Sequence, residues 1–135
     1  MRILVDADAC SVKRHIEDVA MKYRVQVLFF ANSSSRIRPG YGRVFTVSRK
    51  PEAADEELFW QCAKNDVVVT DDFELAAKCM TKGAYVVHQN GWQYTEKTLL
   101  EKREKQMKKR RKADNDNFKW TLELMVITAL EQKIS

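Results

Sequence analysis

The chain predicts an α/β fold, a sandwich with helices on both faces of a mostly parallel sheet. Short runs rich in Val, Ile, Leu and Phe alternate with amphipathic stretches of roughly 10 to 14 residues, the spacing of right-handed βαβ crossovers. Acidic residues stand directly after two of the apolar runs, where strands give way to helices.

Residues 2–6 (RILVD) form the first predicted strand. Val12, Ile16, Val19, Ala20 and Tyr23 then recur at helical spacing and mark the buried face of a first helix. VQVLFFA (25–31) is a second strand, NSSSRIRPGYG (32–42) a loop by composition, and RVFTV (43–47) a third strand. Pro51 suits the first position of a helix over 51–64, with Glu52 and Asp55 in its opening turn. VVVT (67–70) is a buried strand, Asp72 an N-cap for a helix over 73–82, and Gly83 its C′ residue. AYVV (84–87) is a fifth strand, Asn90-Gly91 a turn, and Thr95 an N-cap for a helix through the following basic run. The last helix carries Phe118, Leu122, Met125, Val126, Ala129 and Leu130 on one face and Trp120, Leu124 and Ile127 on a second stripe. That width means burial on two sides or cover for a partner, such as a second copy in a homodimer. No repeat or linker divides residues 1–135, so one domain is expected, with the C-terminal helix pair (about 95–133) open to being an appendage.

At 135 residues the chain can bury a working core without disulfides. No apolar run approaches the roughly 18 to 20 residues of a membrane span. Acids within the first ten residues oppose a secretory signal, and Cys10, Cys62 and Cys79 lack CxxC spacing, so a cytoplasmic protein with reduced thiols is expected. Cys62 and Cys79 fall on apolar helix faces and read as core. The net charge of +5 is uneven: KREKQMKKRRK (102–112) carries +7, leaving about −2 for the rest.

In parallel sheets of this kind, ligands bind beyond the carboxyl ends of the strands, where the strand order reverses. Asp6 and Asp8 follow the first strand, Asp71 and Asp72 the fourth, and Asp55 lies between them in the chain. If the first and fourth strands are neighbours, these carboxylates converge on one rim. Their mutual repulsion raises their pKa values unless a cation joins them. All-oxygen donors suit Mg²⁺ or Mn²⁺, ions that bind phosphates and activate water for phosphodiester displacement. Each acid also has a structural explanation when taken alone: Asp72 as a cap, Asp55 as a complement to the helix dipole, Asp71 as a solvated side chain. Asp6-x-Asp8 at a strand end is the pair those explanations leave over.

VDADAC (5–10), EAAD (52–55) and TDDFELA (70–76), together with Ala31-Asn32, Gly91 and Tyr94-Thr95, resemble the YaiI/YqxD family of PIN-like bacterial proteins over roughly residues 1–100. The resemblance implies a PIN-like three-layer α/β/α fold. It also implies a Mg²⁺- or Mn²⁺-dependent nuclease acting on RNA, with Asp6, Asp8, Asp55 and Asp72 as metal ligands. Asp71 is then an added ligand or a water-orienting base, and Asn32 and Thr70 position phosphate or the acids. Departures from the family pattern are Glu52 for Asp, Ser11 for Pro, Glu74 for a small residue or Pro, and His88-Gln89-Asn90 for an Asn-Pro-Arg-type segment. Ser11 can cap the same helix; the last change removes an arginine.

Two rival readings stay open. DADAC loosely fits the Asp-x-Asp pattern of haloacid-dehalogenase phosphatases, with Asp6 as nucleophile and Asp8 as acid/base, although Cys10 stands where Thr or Val belongs. Alternatively the fold is a non-catalytic module that binds RNA or protein. Lys108, Lys109, Arg110 and Arg111 are candidates for nucleic-acid backbone contact, and Arg36 and Arg38 for substrate contact near the acids. Cys10 beside carboxylates is a poor nucleophile, and His15 lies on the polar side of its helix, where solvent exposure is expected.

Overall fold

The computed structural model describes residues 1–7, 12–32, 40–47, 52–103 and 112–134, the backbone alone for 102–103, 112–117 and 133–134. Runs that are apolar at almost every position become strands covered on both faces: β1 (Arg2–Asp6), β2 (Gln26–Asn32), β4 (Val67–Val69) and β5 (Tyr85–Val87). β3 (Arg43–Val47), half exposed, forms one edge. All pairings are parallel in the order β3-β2-β1-β4-β5, so the direction of winding reverses between β1 and β4. Val5 pairs with both Phe29 and Val69, which sets Asp6 beside the residue that follows β4.

Alternation along the strands divides the core in two. Ile3, Val5, Val27, Phe29, Val67 and Val69 face α1 (Lys13–Tyr23) and α5 (Lys112–Ile134). Leu4, Leu28, Phe30, Val68 and Val86 face α2 (Ala53–Gln61) and α3 (Phe73–Thr81), with Leu99 of α4 (Glu96–Arg103) packed against the same cluster. The result is the expected three-layer α/β/α sandwich. α5 is no appendage, because Phe118, Leu122, Met125, Val126 and Ala129 are buried in the core it shares with α1. Its second stripe faces outward, with Trp120 66% exposed and Leu124 50%.

Local signals act as their chemistry requires. Asp72 Oδ1 accepts from the N–H groups of Glu74 (2.9 Å) and Leu75 (3.1 Å), capping α3. Thr95 and Thr98 form a reciprocal box, Thr98 N–H to Thr95 Oγ1 at 3.2 Å and Thr95 N–H to Thr98 Oγ1 at 2.7 Å, at the start of α4. Gly83 closes α3 at φ +87°, a conformation that disfavours any side chain. Cys62 and Cys79 are buried free thiols.

Four local expectations need correction or fall elsewhere. α2 starts at Ala53 rather than residue 51, because Glu52 holds a left-handed φ of 72° and cannot belong to the helix. The N-cap position of α1 is Val12, which lacks a side-chain cap; Ser11, like Cys10 and Pro51, lies outside the described residues. α4 is described as far as Arg103, and residues 104–111 of the basic run, through which the sequence predicts the helix to continue, lie outside the described residues. His15 is half-buried on α1 rather than solvent-exposed.

Asp66, just before β4, ties the first strand to the end of α2. Its buried carboxylate accepts from Arg2 N–H (3.0 Å), Arg2 Nη2 (3.0 Å) and Ala63 N–H (2.9 Å). Asp66→Ala would leave two backbone donors and part of a guanidinium without their acceptor. A loss of roughly 2–4 kcal/mol in urea unfolding is the expected result. Among the described residues no helix is long and apolar enough to cross a membrane.

Candidate functional site

The reversal between β1 and β4 opens a cleft of about 250 Å³ lined by Asp6, Asn32, Glu52, Asp55, Asp71 and Asp72. β1 delivers Asp6 at its carboxyl end, β2 delivers Asn32, the turn after β4 delivers Asp71 and Asp72, and the first turn of α2 delivers Asp55. Five sequence-predicted site residues therefore meet in one place. Thr70, the sixth, lies immediately behind them.

Thr70 is the organiser. Its hydroxyl donates to Asp6 Oδ2 at 2.9 Å and accepts from Asp72 N–H at 3.0 Å, linking the two acid-bearing strand ends. Asp6 is only 7% exposed, so this bond compensates part of its desolvation. Tyr94, buried, donates from its hydroxyl to the Thr70 carbonyl at 3.2 Å. Tyr94 is in turn held by rings: Trp92 at 4.5 Å and Phe73 edge-on at 5.8 Å, with His88 stacked on Trp92 at 4.6 Å. His88 Nδ1 accepts from Asn90 N–H at 2.9 Å, so the His88-Gln89-Asn90 segment builds a turn that supports the site from behind.

The electrostatics are those of crowded acids. Burial, with Asp6 and Asp72 close by, pushes the Asp55 carboxyl from 3.8 up to about 7. Asp71 is also raised, by burial first and then by Asp72. The Tyr94 phenol is pushed up by burial and by Asp71, Asp72 and Asp6. It stays a neutral donor.

Among the described residues no three acids, histidines or cysteines close on a single metal position as they lie. Asp8, Arg36, Arg38, Lys108, Lys109, Arg110 and Arg111 are outside the described residues. Sequence reasoning missed the role of Tyr94, which is 24 residues from Thr70 and carries no local signal for that contact. It also missed Phe59 and Trp60, which line a second cleft beside the first. An apolar pair near the end of an acidic helix was the signal available.

Fold and site together define a parallel α/β sandwich with an acid-lined cleft at its switch point, the position at which such sheets bind ligands. The chain belongs to the uncharacterised YaiI/YqxD family, whose description matches residues 4–128. A UPF0178 protein of Alkaliphilus oremlandii is 39% identical over 101 residues, covering 75% of this chain and 65% of that protein. One of Natranaerobius thermophilus is 34% identical over 142 aligned positions, covering 94% and 97%. One of Rhodospirillum centenum is 39% identical over 94 residues, covering 69% and 61%. The chain thus spans just under two thirds of the length of the first and third of these relatives. No solved structure matches it.

Proposed function

We propose that the protein is a Mg²⁺- or Mn²⁺-dependent phosphodiesterase acting on RNA, with Asp6, Asp8, Asp55 and Asp72 holding the metal. The observation that carries this reading is the convergence of Asp6, Asp55, Asp71 and Asp72 on one cleft at the switch point; burial and this crowding raise the Asp55 carboxyl to about 7, so the site gains stability from a cation. The donor set suits such an ion, since carboxylate and amide oxygens are hard ligands and, among the described residues, no thiol or imidazole lines the cleft. Mg²⁺ keeps several waters and takes one or two carboxylates directly, so the acids need not meet at one point. When bound, the cation would supply charge stabilisation at a phosphoryl oxygen and a more acidic water.

The chain's own residues have separable tasks. Thr70 fixes Asp6 and the Asp72 backbone, and Tyr94 fixes Thr70. Asp71, half-buried and raised in proton affinity, suits orientation of a water and acceptance of its proton. Asn32 adds a neutral amide at the cleft wall, fit to orient phosphate without adding repulsion.

Calorimetric titration of the wild-type protein with Mn²⁺, followed by incubation with a single-stranded RNA, tests the reading. Binding accompanied by EDTA-sensitive cleavage is the expected result. No Mn²⁺ binding with RNA present would end it. Hydrolysis of a small phosphomonoester through phosphorylated Asp6 would replace it with the dehalogenase-type phosphatase. RNA binding that persists in chelator, with no cleavage at any metal concentration, would leave a binding module.

A further inference from the structure

We propose that the cleft between α2 and α3 is a nucleobase subsite, in which an unpaired base bearing an exocyclic amino group stacks on Trp60. It deepens the phosphodiesterase reading and rests on it for the reaction, though not for the binding.

Trp60 is 75% exposed, an indole left in water on a helix whose other apolar residues pack inward. It is not an isolated surface ring. Phe59 lies edge-on beside it at 6.1 Å, and the two border a cleft of about 310 Å³ with Glu56, Glu74, Leu75 and Lys78. That volume sits at the low end of small-ligand pockets. Glu52, Asp55 and Asp72 line both this cleft and the acidic one, so the two are continuous. Trp60 is five residues along α2 from Asp55, a rise of about 7.5 Å. A stacked strand covers that distance in about two nucleotides. Because the two clefts share Glu52, Asp55 and Asp72, the bound base flanks the bond at the acidic rim.

The lining chemistry selects the occupant. Aromatic faces stack on any base, and carboxylates accept from amino groups on base edges. Glu56 and Glu74 supply such acceptors, while Lys78 supplies a cation for a backbone phosphate. Uracil presents two carbonyls and one N–H, so it meets repulsion where adenine and cytosine meet an acceptor. A duplex hides the edges that these glutamates would read, which makes the ligand single-stranded.

The test is fluorescence anisotropy with labelled RNA hexamers of A, C or U and a short RNA duplex, in Ca²⁺, with probe integrity checked on a gel. Hexamers of A and C are expected to bind more tightly than U or duplex. Trp60→Ala is expected to weaken binding of the A hexamer by roughly 5- to 100-fold, while Trp60→Phe stays within about threefold. Trp120→Ala, which removes a comparably exposed tryptophan on the opposite layer, should match wild type. Wild-type affinity in Trp60→Ala, a preference for U, or no hexamer binding by the wild type would each overturn the subsite. Mn²⁺-dependent cleavage together with hexamer binding that is unchanged in Trp60→Ala overturns the subsite and leaves the hydrolase standing. Trp60-dependent binding without cleavage upholds the subsite and removes the hydrolase.

Discussion

The Asp6→Asn/Asp72→Asn protein is expected to bind no Mn²⁺ by calorimetry and to cleave RNA roughly 10²- to 10³-fold more slowly than wild type, the effect of removing a preorganised charged group from a reacting centre. It should still fold. An asparagine at position 72 keeps a side-chain oxygen that can cap α3, and one at position 6 keeps an oxygen that can accept from Thr70. Circular dichroism and unfolding of the same preparation establish that the loss is one of chemistry. The neutral pair also relieves Asp55, whose carboxyl is raised partly by Asp6 and Asp72 and should fall back toward the ordinary range. Wild-type cleavage in the double variant would remove these acids from the mechanism.

Asp55→Asn is expected to act oppositely on stability and on metal binding. In the native protein the Asp55 carboxyl titrates at about 7, against 3.8 for the ordinary group. Between pH 4 and pH 7 the folded state therefore holds a proton that the unfolded chain has lost. Stability falls as pH rises through that window and levels off above it. The full shift corresponds to at most ~4 kcal/mol, and the partly solvated setting of the group reduces it to roughly 2 kcal/mol. At pH 8 without metal, Asp55→Asn should accordingly be about 1–2 kcal/mol more stable than wild type, and near pH 4 the two should coincide. Adding Mn²⁺ at pH 8 should reverse the order, because the wild-type site exchanges its repulsion for a cation. Calorimetry in buffers of different ionisation enthalpy should detect about one proton released per metal bound at pH 6, fading by pH 8. A variant less stable than wild type at pH 8 would mean that burial and hydrogen bonding at Asp55 outweigh charge crowding.

Much of the architecture is legible in the sequence. Continuous apolar runs such as Ile3–Val5 and Val67–Val69 mark strands covered on both faces, and the intervening stretches are too long for hairpins. Caps are local, spanning three or four residues, so Asp72, Thr95 and Gly83 can be located by inspection. The start of α2 differs from the sequence pattern because residue 52 takes a left-handed conformation that nothing in its side chain announces.

What the chain determined by itself was the alternation of strands and helices, the apolar faces, and the placing of acids at strand ends, because each of these depends on neighbours a few residues away. Tertiary structure decided that β1 lies beside β4, which brings five carboxylates from separate parts of the chain into one cleft. It decided that Thr70 and Tyr94 hold the acids, that α5 completes the core behind α1, and that Trp60 borders the groove running from the acidic rim. Those outcomes depend on which strands pair and on how two helices cross above them. They are contacts between residues dozens of positions apart, which no local pattern encodes.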